Sequence, residues 1–229
     1  MSAERKAAMT AYGAQLIEVT QAQGMEGARD LALRMQAEGQ GKVLDQFGNQ
    51  DNPEAHYRGT GPEIWRDTQG TVTHFVSSMG TTGTIMGVSR YLKERNPEVV
   101  IGLVDPLGAA LYSYYTTGEL KAEGESITEG IGQGRITANL EGAPVDYAFQ
   151  IPDAEALPVG FDLIIEEGLA LGGSAMLSLA GAIRLAEKLG PGKTIVTILA
   201  DSASRYQSKL FNPGFLRSKN LPVPEWMDT

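Results

Sequence analysis

The chain has 229 residues, 42% of them hydrophobic, a net charge of −9 and no cysteine. It is long enough to bury a core as a globular protein, and its acidic balance disfavours nucleic acid and anionic membrane as partners, both of which need a basic face. Without cysteine there is no disulfide, thiolate metal site or cysteine nucleophile, which fits a cytoplasmic setting. Two histidines, His56 and His74, are too few for a multi-histidine metal site and read as structural, so no metal is expected.

Taken in order, residues 3–12 predict a short helix closed by Gly13, and 15–20 a strand. A helix over 24–38, with Ala28, Leu31, Leu33 and Met35 among its apolar positions, leads to a strand over 42–47. Residues 48–59 are rich in Asn, Asp, Pro and Gly and read as a loop, after which Thr60 and Glu63 have capping-box spacing. Residues 71–76 are β-branched and apolar. They precede glycines at 80, 83 and 87 and a helix over 83–96 carrying Ile85, Val88 and Leu92 at helical spacing. Strands are predicted over 97–106, 147–151 and 193–200, the last apolar enough to be buried on both faces. Residues 107–146 read as a long loop, 153–167 as a helix capped by Asp153, and 175–189 as a helix rich in small residues. The tail, 211–226, is punctuated by proline. Strand, helix, strand alternation of this kind predicts an α/β fold, a parallel sheet with helices on both faces, and no run of apolar residues reaches membrane-spanning length.

The stretch from Ser77 to Gly87 reads as strand, glycine turn and helix. Such a turn leaves backbone N–H groups at a helix N-terminus without intrahelical partners, where an anion is favoured. Thr81, Thr82 and Thr84 add hydroxyl donors, and Gly80 and Gly83 allow close approach of the backbone. The pattern fits neither GxxxxGK[ST] nor GxGxxG. Spacing alone leaves phosphate binding and a plain packing turn equally open. Ser174 is not in a GxSxG elbow. Residues 201–206 follow the last strand at its C-terminal end, where open α/β sheets place ligands.

Ser77 to Gly87 resembles the cofactor-phosphate loop of the cysteine synthases, pyridoxal-phosphate enzymes of fold type II, and the B-type enzymes above all. The segments 1–5, 11–14, 24–33, 45–47, 51–53 and 60–65 match the same family in order and at family spacing, densely to about residue 105 and more loosely to the end. The resemblance implies a large cofactor domain over 50–229 and the remnant of a smaller domain over 1–49. It implies pyridoxal phosphate held by Gly80, Thr81, Thr82, Gly83 and Thr84. Gln46 would contact the substrate carboxylate, and Gly130, in the loop 129–132, would lie along the cofactor face. Ser202 would meet the pyridine nitrogen; a neutral hydroxyl there favours β-elimination over transamination, whereas Asp201 in its place would protonate the ring. Gly172, Gly173 and Ser174 resemble the family's small-residue turn near the ring, without its second serine. The implied reaction is β-replacement of O-acetylserine by sulfide or another thiol-type nucleophile to give cysteine; O-phosphoserine and serine stay open as donors. Cystathionine β-synthase and threonine dehydratase share the fold type.

Cysteine synthases also carry a Schiff-base lysine and a Thr-Ser-Gly-Asn-Thr-Gly loop near the N-terminus. None of Lys6, Lys42, Lys93, Lys121, Lys188, Lys193, Lys209 and Lys219 stands in that context, and Met1 matches an internal position of the family. No catalytic residue is therefore assigned. The expectation is an N-terminally truncated enzyme with negligible synthase activity alone; the alternatives are a non-catalytic anion-binding or interaction module and, less in keeping with the geometry, a relocated lysine. Unpaired strand edges predict association into a homo-oligomer, a dimer in the simplest case.

Overall fold

The computed structural model describes residues 1–20 and 23–227. Helix α1 (Ala3–Ala11) is capped by Ser2, whose hydroxyl accepts the Arg5 N–H at 3.4 Å, and α2 (Gly24–Ala37) follows. The strands predicted over 15–20 and 42–47 do not form. Both segments are irregular and largely exposed, and no neighbouring strand among the described residues offers them a ladder, without which an extended segment has no stability of its own.

The predicted loop 48–59 contains a helix, α3 (Asp51–Arg58). Pro53 is tolerated in its first turn, where the missing N–H would be unpaired anyway, and Arg58 pairs with Glu54 one turn back at 2.6 Å. After Gly59 comes α4 (Thr60–Asp67). Thr60 is its first residue and not its cap, because its hydroxyl is taken by His56 Nδ1 at 2.9 Å.

Strand β1 (His74–Ser78), α5 (Gly83–Arg95) and β2 (Val100–Pro106) form one parallel βαβ unit. Between β2 and β3 (Tyr147–Ile151) the chain holds α6 (Leu111–Thr117) and a 3-10 turn at Ala138–Leu140. It continues through α7 (Asp153–Glu167), α8 (Gly173–Leu189), β4 (Ile195–Thr197), a 3-10 turn at Ala203–Arg205 and α9 (Pro213–Ser218). Pro152 and not Asp153 caps α7. The Asp153 carboxylate instead accepts the Ser126 hydroxyl at 2.7 Å and the Ile127 N–H at 2.8 Å, fastening the long loop to the helix.

All strand pairs are parallel, in the order β3-β2-β1-β4. Period-two alternation sends Phe75, Ile101 and Leu103 into a core with Ile85, Val88 and Leu92 of α5. Val76 and Val104 enter a second core with Phe161 of α7 and Met176, Leu177 and Leu185 of α8. Burying each such side chain contributes about 2 kcal/mol, so both faces of the sheet are held by helices, as the sequence predicts. The small residues of α8 have a physical reason: a Cβ on Gly181 would stand 2.2 Å from Val104 Cγ2. Strand β4 departs from expectation. It is short and half-exposed, since among the described residues it is an edge strand.

Candidate active site

Strand order fixes where a ligand can sit. From β1 the chain steps outward to β2 and then β3, and later returns to β1's other side as β4. That reversal opens a crevice beyond the C-terminal ends of β1 and β4, the usual ligand position in open α/β sheets. A cavity of about 240 Å³ lies there, lined by Ser77 and Ser78 at the end of β1, by Gly80, Thr81 and Thr84 after it, and by Ile198, Ala200 and Asp201 after β4. Arg5, Glu129, Gly130, Ile131 and Ser174 complete its wall.

The cradle is built by close contact. A Cβ on Gly80 would lie 2.4 Å from the Gly130 carbonyl oxygen, and one on Gly83 would lie 1.9 Å from Asn52 Oδ1. The Gly132 N–H donates to the Met79 carbonyl at 2.8 Å, which holds the 129–132 loop against the end of β1. Thr82 sits in the left-handed region (φ 70) as the residue before α5, without a side-chain cap bond to the helix. A β-branched residue there is strained, and the conformation presents the N-terminal N–H groups of α5 uncapped.

Five residues were expected to form the cradle. Of them, Gly80, Thr81 and Thr84 line the cavity. Thr82 and Gly83 are buried behind it, the Thr82 hydroxyl donating to the Thr81 carbonyl at 2.5 Å. Gly130 lines the cavity in the left-handed region (φ +83), a backbone that favours glycine. Gln46 lies beside the cradle through its backbone: its carbonyl accepts Asn52 Nδ2 at 2.8 Å and Asn139 Nδ2 at 3.0 Å, while the residue itself is exposed. Ser202 is exposed, is not among the cavity-lining residues, and shares a hydrogen bond of 2.7 Å with Ser204.

Four further lining residues, Ser174, Asp201, Arg5 and Glu129, carry chemistry. Ser174, at the start of α8, is buried, and its hydroxyl has no hydrogen-bond partner among the described residues. Asp201 accepts Arg5 Nη2 at 3.1 Å and the Tyr206 hydroxyl at 2.7 Å on one oxygen, while its other oxygen is buried without a partner against Gly172. Burial, and then Asp201, push the Tyr206 hydroxyl up to about 12, so it stays a donor. Arg5 brings α1 into the wall. Burial would raise the Glu129 carboxyl, but the Lys209 ammonium and the Ser2 N–H outweigh it and hold the group ionised below the usual carboxylate range. Only tertiary structure brings Arg5, Glu129 and Asp201 together, so spacing gave no signal.

The lining residues suit a phosphorylated aromatic cofactor: a glycine and threonine cradle lies under a helix N-terminus, and a free serine hydroxyl and a residue with an orphaned carboxylate oxygen share the wall. Among the described residues no group of His, Cys, Asp and Glu side chains could hold a metal ion, and no helix is long and apolar enough to cross a membrane.

Residues 1–201 match the family described as pyridoxal-phosphate dependent enzyme. Cysteine synthase B of Pseudomonas aeruginosa is 49% identical over 210 residues, covering 90% of this chain and 64% of that protein. The Salmonella typhimurium protein of the same name is 48% identical, covering 91% and 64%. The crystal structure of the O-acetylserine dependent cystathionine beta-synthase from Helicobacter pylori superposes with a TM-score of 0.83 at 32% identity, over 91% of this chain and 66% of that one. The chain thus spans 64% of the length of the curated relatives named here.

Proposed function

Because this chain belongs to the family of pyridoxal-phosphate dependent enzymes, we propose that it forms the cofactor site of a cysteine synthase, which exchanges the β-substituent of O-acetylserine for sulfide or another thiol-type nucleophile. The observation that carries this reading is the cavity that lines up Gly80, Thr81 and Thr84 from one strand end with Asp201 from the neighbouring one, in a chain about half identical to cysteine synthase B.

Pyridoxal phosphate, when bound, supplies an electron sink for breaking the bond to the β-substituent. The chain's own part is to hold and orient. Gly80, Thr81, Thr82, Gly83 and Thr84, with the N–H groups opening α5, bind the phosphate. Ser202 and Ser174 are the two serines proposed for the pyridine nitrogen, and Ser174 is favoured because its free hydroxyl lines the cavity. Gln46 and Gly130 border the substrate side, and Arg5 keeps Asp201 turned aside and charge-balanced. Residues 1–49 as part of a smaller domain and 50–229 as the cofactor domain belong to the same reading. So does a cytoplasmic homodimer, supported by the cysteine-free composition and by Tyr12, Ile17, Leu33 and Leu44 standing exposed.

A second reading is a non-catalytic anion-binding module, favoured by one observation: the lining residues include no lysine. One titration separates the readings. Pyridoxal phosphate is expected to bind the purified chain saturably and at least about tenfold more tightly than pyridoxal, since bonds to a charged phosphate are the strong ones. O-acetylserine should then change the bound cofactor's absorbance while threonine leaves it alone. Equal binding of pyridoxal, or none of either, overturns the cofactor site. Binding of inorganic phosphate with no response to O-acetylserine selects the module. Borohydride reduction and intact mass should show no lysine adduct, and the chain alone should make negligible cysteine.

A further inference from the structure

Two side chains from one face of α3 reach the cradle from behind. Asn52 and His56 stand one helical turn apart, at i and i+4, and meet Thr81 and Thr84. Asn52 Nδ2 is 2.8 Å from both Thr81 Oγ1 and the Gln46 carbonyl oxygen. A carbonyl only accepts, so the amide nitrogen faces it and both amide hydrogens are committed. The Thr81 oxygen therefore accepts, which frees its own proton for a third partner.

At Thr84 the polarity depends on a tautomer. His56 Nδ1 is 2.9 Å from Thr60 Oγ1 and Nε2 is 3.1 Å from Thr84 Oγ1. A neutral ring, which burial favours by lowering the His56 pKa, has one donor and one acceptor nitrogen. With the proton on Nε2, Thr84 accepts from the ring and its hydroxyl can donate into the cavity, while Thr60 donates to Nδ1. With the proton on Nδ1, the Thr84 hydroxyl is used up on the ring. Packing keeps α3 in place for this: a Cβ on Gly87 would stand 2.1 Å from the Pro53 carbonyl oxygen, so α3 and α5 meet backbone to backbone.

We propose that Asn52 and His56 are positioning residues that set the hydrogen-bond polarity of the cradle, each giving an N–H to a threonine oxygen so that the hydroxyl protons of Thr81 and Thr84 both point to a bound phosphate. A phosphate in the cavity selects the Nε2–H tautomer of His56. The inference rests on the phosphate site proposed above and adds to it the groups that orient its donors.

The test is a titration of the full chain, labelled with ¹⁵N-histidine, with inorganic phosphate, His74→Gln serving to tell the two histidines apart. Phosphate is expected to shift His56 to the Nε2–H form, and Thr84→Val to abolish that response. Asn52→Ala should weaken phosphate about tenfold in the parent but no more than about twofold when Thr81 is already Val, because the amide acts through that hydroxyl. A purely structural role for Asn52 would weaken binding equally in both backgrounds and overturns its part of the proposal. Phosphate binding with no change at His56 overturns the tautomer and leaves the phosphate site standing. Failure of the parent to bind phosphate at all removes the site and this inference with it.

Discussion

The hydroxyl of Ser178, buried on α8, accepts the backbone N–H of Ser78 at 3.1 Å and donates to the Ser78 hydroxyl at 3.0 Å. One side chain thus fastens the last residue of β1 to α8, whose first turn carries the cavity-lining Ser174. Ser178→Ala leaves that N–H without a partner, and the expected loss is about 1–3 kcal/mol of stability, read from the urea midpoint. An unchanged midpoint would show that the pair is dispensable.

Gly80 cannot be enlarged without moving backbone, since the obstacle at 2.4 Å is the Gly130 carbonyl and not a flexible side chain. Gly80→Ala is expected to push the 129–132 loop off the cradle and to weaken pyridoxal phosphate by at least about tenfold, with a stability loss of about 1–3 kcal/mol. Absorbance titration measures the first and thermal melting the second. Gly134→Ala, where a Cβ meets nothing within 4 Å, is the matched control and should change neither.

Burial pushes the Asp105 carboxyl from 3.8 up to about 6, against the opposing N–H groups of Tyr112 and Leu111. Its folded pKa lies above the unfolded one, so the native state binds the extra proton and stability falls as pH rises from about 4 to about 6. Asp105→Asn keeps an acceptor for the Tyr112 N–H and removes the charge. It is expected to gain on the order of 2 kcal/mol relative to the parent at pH 7.5 and little at pH 4. His56 and His74 have lowered pKa values from burial, so their contribution has the opposite sign and is lost as pH falls below about 6.5. Urea melts of parent and variant at both pH values separate the two effects.

Ser174→Ala and Ser202→Ala form a pair with different expected outcomes. The first removes a free hydroxyl from the cavity wall and should weaken pyridoxal phosphate while leaving inorganic phosphate affinity unchanged, because it does not touch the cradle. The second removes a hydroxyl bonded to Ser204 and should change neither. The reverse pattern would return the ring nitrogen to Ser202.

The glycine turn with its flanking strand and helix was legible because glycine spacing, β-branched runs and helical periodicity are all local. The predicted strands at 15–20 and 42–47 failed for the complementary reason: propensity marks a segment that could pair, and nothing in the segment says whether a neighbour exists. Helix α3 hid behind a loop-like composition, although Asn52, Pro53 and Asp51 all suit a first helical turn and its later residues make ordinary i,i+4 contacts. Asp153 looked like a cap and is a loop anchor, since a carboxylate can satisfy either set of N–H groups. Ser202 and Ser174 are both serines in small-residue turns. Only the path of the chain around β4 decides which of them borders the cavity.

The two walls of the cavity are joined by a short seam. Strand β4 is tied to β1 through only three residue pairs, His74 with Ile195, Phe75 with Val196 and Val76 with Thr197, and its outer side has no strand partner among the described residues. Sub-global opening starts where few amides are protected, so β4 should exchange its hydrogens earlier than β2, which is laddered on both sides. A molecule bridging Thr81 and Asp201 would close that seam from outside the sheet, slowing exchange at Ile195–Thr197 although it touches none of them, and the cofactor would count as part of the protein's tertiary structure.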